Sequence, residues 1–180
     1  MAAVFDVANF YIDIVMHSED DQITNLKLNK LLYYAQGCCL SRCGHPLFPD
    51  QIEAWEYGPV VPSIYRKYKV CGKSPIRSTD EEYDPAVFSD TEKAILLDVM
   101  REYGQYTGSA LVSMTHRPGT PWRQAVENST KIITQESMKD YFSRHPVPEI
   151  DRAIAMIPAV GQLPADWYDA EEDSEWEAYL

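Results

Sequence analysis

The sequence predicts a mainly α-helical, compact multi-helix domain with at most a small β element around residues 51–57 and a short acidic C-terminal tail. Three observations predict it. Apolar residues recur at the 3–4 residue spacing of a helix over most of the chain, small polar residues and glycines stand where such runs should start and stop, and only one short run alternates as a strand would. The chain has 180 residues, 45% of them hydrophobic and 24% charged, enough to bury one core. We place the domain at residues 1–160 and an acidic, aromatic-containing tail at 161–180.

Over residues 4–17, Val4, Val7, Ala8, Tyr11 and Val15 form a helical stripe that Phe5, Phe10, Ile12 and Ile14 widen until little polar face remains, as in a helix buried on most sides. Thr24 or Asn25 can cap a second helix over 25–43, in which Leu28, Leu31, Leu32, Ala35, Cys39 and Leu40 make one stripe and Gly44 provides the stop. The prolines of His45-Pro-Leu-Phe-Pro forbid its continuation. Residues 51–57 read as a strand, Gly58-Pro-Val-Val-Pro62 as a turn, and Pro62 as the first residue of a short helix reaching Tyr68, with Ile64, Tyr65 and Tyr68 inward. Residues 72–85 are polar and read as a surface connection. Ser89-Asp-Thr-Glu92 is a capping box before Ile95, Leu96, Val99, Met100 and Tyr103. Thr107 or Ser109, Thr120 with Pro121, and Thr134 begin three further helices, and a last one fits around residues 149–157.

Sixteen basic residues against 28 acidic give a net charge of −12, which argues against sequence-independent binding of nucleic acid or anionic lipid. Seven of those acids, and no base, lie in residues 166–180, interleaved with Trp167, Tyr168, Trp176 and Tyr179. Rings among acids can anchor a segment that folds on a basic partner; the plainer reading is a solvated tail. No apolar run reaches the ~20 residues needed to cross a bilayer. The first residues lack the basic end and apolar stretch of a secretory signal, so a cytoplasmic protein with reduced thiols is expected.

Chemistry is sparse. Cys39-x-x-x-Cys43-x-His45 is not a standard zinc spacing, and Cys39 shares its helix face with leucines. His116 is the histidine best framed for acid–base work, but no nucleophile elbow or phosphate-cradling glycine loop accompanies it. The expectation is therefore no enzyme, no metal and no cofactor. Richer is Glu53-Ala-Trp-Glu-Tyr-Gly-Pro-Val-Val-Pro-Ser-Ile-Tyr65, where rings bracket a stiff Gly-Pro turn. Such rings suit a protein-contact patch, or simply pack the turn onto the helix at 25–43.

Leu26-Lys-Leu-Asn-Lys-Leu-Leu-Tyr-Tyr-Ala-Gln-Gly37, then Gly44-His-Pro-Leu-Phe48, then Ile52-Glu-Ala-Trp-Glu-Tyr-Gly-Pro-Val-Val-Pro-Ser-Ile-Tyr65 closely resemble the Panacea domain, the family of SocA-like antitoxins and phage-associated proteins. The likeness continues more weakly through Tyr103-Gly104, Thr115-His116, Pro121-Trp122 and Tyr141-Phe142. It implies a mainly helical, non-enzymatic antitoxin that neutralises a protein toxin by contact; toxins of the family's partners include tRNA-modifying enzymes and membrane-active peptides. An acidic chain fits a toxin with a basic surface. The alternatives are an adaptor that delivers a bound protein to a cytoplasmic AAA+ protease, or an orphan phage regulator. No direct nucleic-acid or membrane partner is expected. Partner contacts are assigned to Trp55, Tyr57, Pro59, Val60, Pro62 and Tyr65, with His116 and Trp122 secondary. Cys38-Cys39 stands where relatives commonly carry a bulky aromatic after the glycine, which points to an altered pocket beside Gly37.

Overall fold

A computed structural model describes residues 2–17, 22–77 and 84–149. Seven helices carry the described fold: α1 (Val4–Met16), α2 (Asn25–Cys43), α3 (Pro62–Tyr68), α4 (Asp90–Tyr103), α5 (Gly108–Thr115), α6 (Pro121–Glu127) and α7 (Gln135–Arg144). Three short strands, β1 (Ile52–Trp55), β2 (Gly58–Val60) and β3 (Ile132–Ile133), form one antiparallel sheet in the order β2-β1-β3. The helix expected around residues 149–157 and the acidic tail fall almost wholly on residues 150–180, outside the described residues.

The starts and stops are where capping chemistry puts them. The side-chain oxygens of Thr24, Ser89, Thr107, Thr120 and Thr134 each accept an N–H from the first turn of the helix that follows. Gly44 ends α2 at φ 76°, a left-handed conformation costly for other residues, and its N–H reaches Leu40 O.

The organising element is α2. Its sequence predicts one apolar stripe, but every residue from position 28 to 40 is buried. Helices α1, α3, α4, α5 and α7 and strand β2 all pack against it. On one side the Gly37 backbone meets Phe142 of α7 so closely that an added Cβ would lie 2.1 Å from two carbons of the ring. That space is filled by the Phe142 ring.

Two other expectations change. Residues 58–60 are not turn but strand β2, paired as Glu53↔Val60, Ala54↔Pro59 and Trp55↔Gly58, so the chain reverses at Glu56 and Tyr57. Pro59 is tolerated because β2 is an edge strand. In the segment read as surface connection, Ile76 is buried and its N–H donates to Ile23 O, tying it to the entry of α2.

Candidate functional site

The hairpin β1–β2 and the start of α3 are held from beneath by polar side chains of α2. Asn29 Oδ1 accepts the Val61 N–H at 2.9 Å, while its Nδ2 donates to Asn25 O and Oδ1. Asn25 Nδ2 in turn donates to Tyr65 O. Two turns beyond Asn29, Gln36 accepts the N–H groups of Leu47 and Phe48 and donates to Phe48 O, which satisfies these groups of the proline-broken loop.

Lys30 is the least ordinary of these. Its side chain is 0% exposed and its Nζ donates to Pro59 O at 3.1 Å. Burial pulls its pKa from the usual 10.5 to about 7, because a low-dielectric interior penalises the charged form. Gly58 sits directly above it at φ 97°, where a Cβ would lie 2.7 Å from Lys30 Cε and 2.8 Å from Thr115 Oγ1. The glycine is required both for the backbone angle and for the approach of the lysine.

From the other side, Trp122 of α6 donates its Nε1–H to Trp55 O at 2.8 Å. The His116 ring stacks on Trp122 with centroids 3.7 Å apart. Burial, then the charge of Lys30, hold the imidazole below its ordinary pKa; Arg123 adds to this and a hydrogen bond with the Glu56 backbone opposes it. His116 Nε2 is buried without a hydrogen-bond partner. The hairpin is thus clamped between α2 and the α5–α6 corner.

On the outer face, the rings of Trp55 and Tyr65 meet edge to face with centroids 4.8 Å apart. Trp55 Nε1 donates to Glu53 Oε2 at 2.7 Å, and Lys131 Nζ lies 3.1 Å from the same oxygen. Burial raises the Glu53 pKa, but hydrogen bonds from Trp55 and Lys131 with the charges of Lys131 and Arg66 hold it below its usual range.

The eight residues singled out from the sequence therefore separate. Trp55, Tyr57, Pro62 and Tyr65 are half-buried and reach the surface. Pro59 and Val60 are buried in the hairpin, Trp122 is buried beneath it, and half-buried His116 lies on Trp122. Strand pairing and the Trp122 hydrogen bond turn Pro59, Val60 and Trp122 inward, where they support the hairpin. Sequence reasoning passed over Asn29, Lys30 and Gln36, whose signal was available: three polar residues interrupting a helix otherwise apolar from Leu28 to Leu40.

The thiols lie elsewhere. Cys39 is nine residues beyond Lys30, about 13 Å along the helix. Burial pushes its pKa, and that of Cys38 to about 11, above the ordinary thiol value. Among the described residues no three His, Cys, Asp or Glu side chains gather as a metal site would require, and no helix is long and apolar enough to cross a membrane.

A helical domain threaded on one buried helix, with an aromatic hairpin clamped against it, is the class that these observations define. The chain belongs to the SocA-like antitoxin family: residues 28–123 match its family model, described as antitoxin SocA-like, Panacea domain. Antitoxin SocA of Caulobacter vibrioides (strain NA1000 / CB15N) is 34% identical over 126 residues, which cover 64% of this chain and 66% of the relative. The chain thus spans just under two thirds of that relative's length. No solved structure matches it.

Proposed function

We propose that this chain is an antitoxin that neutralises a cognate protein toxin by direct contact in the cytoplasm, acting as a binding module rather than an enzyme. The observation that carries the reading is the half-exposed Trp55–Tyr65 pair, formed between a hairpin and the helix after it that Lys30, Asn29 and Trp122 already fix in place. Large rings on a pre-ordered support lose little entropy on binding, and Trp and Tyr are over-represented among residues that dominate interface energy. Membership of a family named for an antitoxin supplies the kind of partner.

The test is coexpression with the protein encoded beside it. Relief of growth arrest and a co-purifying complex are expected for the wild type, and loss of both, at unchanged melting temperature, for Trp55→Ala with Tyr65→Ala. Undiminished rescue by that double variant overturns the assignment of this face. Rescue accompanied by faster disappearance of the toxin, and abolished when the AAA+ protease is removed, would replace masking by delivery.

A further inference from the structure

The stretch of chain that follows the hairpin carries charge of the opposite sign to that of the whole chain. The total is −12, yet no acidic residue falls between Glu56 and Asp80, and the same stretch carries Arg66, Lys67, Lys69, Lys73 and Arg77. In the fold this is α3 and the segment that follows it. Lys67 lies over the Phe5 ring at 5.0 Å and serves the packing of α3 on α1. Arg66, Lys69 and Arg77 are exposed, and among the described residues none of the three is in a salt bridge. Between them Val70 is 86% exposed, the most open of the large apolar side chains among the described residues.

Two cations, Arg66 and Lys131, adjoin the aromatic pair. Arg66 follows Tyr65, whose ring rests on Trp55, and its charge reaches Glu53, the carboxylate that holds the Trp55 indole. Lys131 stands against that same carboxylate. The rings are therefore bordered by Arg66 and by the Glu53–Lys131 ion pair.

We infer that the partner surface that meets this face is acidic: a protein face with Asp and Glu side chains opposite Arg66, Lys69 and Arg77 and an apolar group over Val70. This rests on the contact reading above and reverses the sign that the total charge suggested. The reason is range. At physiological salt, charges more than ~8 Å apart are largely screened, so acids elsewhere on the chain do little once two surfaces touch. Complementarity is set by the charges at the contact, where like signs are strongly disfavoured.

The experiment uses the full chain and the co-purifying partner encoded beside it. The variant combines Arg66→Gln, which avoids setting a new carboxylate against Glu53, with Lys69→Glu and Arg77→Glu. Affinity should fall by about tenfold or more, the size expected from three exposed pairs of up to ~1 kcal/mol each, with no change in melting temperature. If affinity is unchanged or rises while Trp55→Ala with Tyr65→Ala still abolishes binding, the acidic-partner inference is wrong and the contact reading stands. If neither variant affects the complex, or the two proteins form none, both fall. A second measurement needs no toxin: titration with poly-L-glutamate at low salt should shift the amide signals of residues 66–77 in the wild type and not in the charge variant. Absence of that shift in the wild type overturns the inference.

Discussion

Lys30→Met is the substitution whose outcome the structure determines most sharply. It keeps the unbranched shape of the side chain and removes the amine that is wholly buried beneath Gly58. The folded pKa of about 7 lies some 3.5 units below the ordinary value of 10.5, equivalent to about 5 kcal/mol between the two protonation states. The sign follows from proton counting. Below pH 7 the lysine is charged in both states and the folded form bears the whole burial cost. Between pH 7 and 10.5 the unfolded chain holds a proton that the folded chain has released, so stability rises with pH by up to ~1.4 kcal/mol per unit. From about pH 7 to about pH 9 the wild type should gain roughly 2–3 kcal/mol from this group, and the methionine variant should not.

The magnitude at neutral pH is a difference of two effects. Removing the buried charge stabilises the variant, while Pro59 O, left without its donor, costs about 1–3 kcal/mol. The variant should be the more stable protein below pH 7 and lose that advantage by about pH 9. The assay is chemical denaturation of both proteins at constant ionic strength, followed by tryptophan fluorescence. Cys38 and Cys39, whose pKa values burial raises, make both proteins lose stability as the unfolded thiols ionise, and that cancels in the difference. His116, whose depressed pKa owes part of its shift to Lys30, acts below the window measured. A stability difference that stays flat across the window would refute the reasoning, because it would mean that Lys30 keeps its proton inside the fold.

Other perturbations separate support from surface. Trp122→Ala removes a 6%-exposed ring together with the bond to Trp55 O, and a loss of about 3–5 kcal/mol is expected by thermal or chemical denaturation. Trp55→Ala should cost much less stability and show its effect in partner binding. Gly58→Ala meets both a positive φ and the Lys30 and Thr115 side chains, so a loss of at least about 2 kcal/mol is expected, visible as a drop in melting temperature. Arg42→Met leaves buried Asp98 without its guanidinium and the Val147 carbonyl without its donor; a loss of about 3 kcal/mol should appear, with faster hydrogen exchange around residues 145–149.

What could be read from the sequence was what local chemistry decides. Thr24, Ser89, Thr107, Thr120 and Thr134 announce helix starts because each hydroxyl can reach an N–H only three residues ahead, and Gly44 announces a stop because few other residues accept its φ. Strand β3 could not be read in that way. Two isoleucines carry no period, and they become a strand only because Ile133 and Ile132 find Ile52 and Glu53 eighty residues away in the chain. Strand β2 was concealed by Pro59, which excludes a central strand but not an edge.

The site was half legible for the same reason. Trp55 and Trp122 are alike as residue types, and each spends its indole N–H within the hairpin. Trp122 spends it on the Trp55 carbonyl, which draws the ring under the sheet, whereas Trp55 spends it on a carboxylate at the surface. Only the tertiary hydrogen-bond partner decides which ring is buried and which reaches the surface. The total charge is silent in a parallel way, since a sum over 180 residues carries no address: the stretch 57–79 holds five bases and no acid, while acids elsewhere in the chain set the sign of the total. The charge of a partner surface is therefore better argued from exposed Arg66, Lys69 and Val70, which follow Tyr65 in the chain, than from a net charge that has no place in the fold.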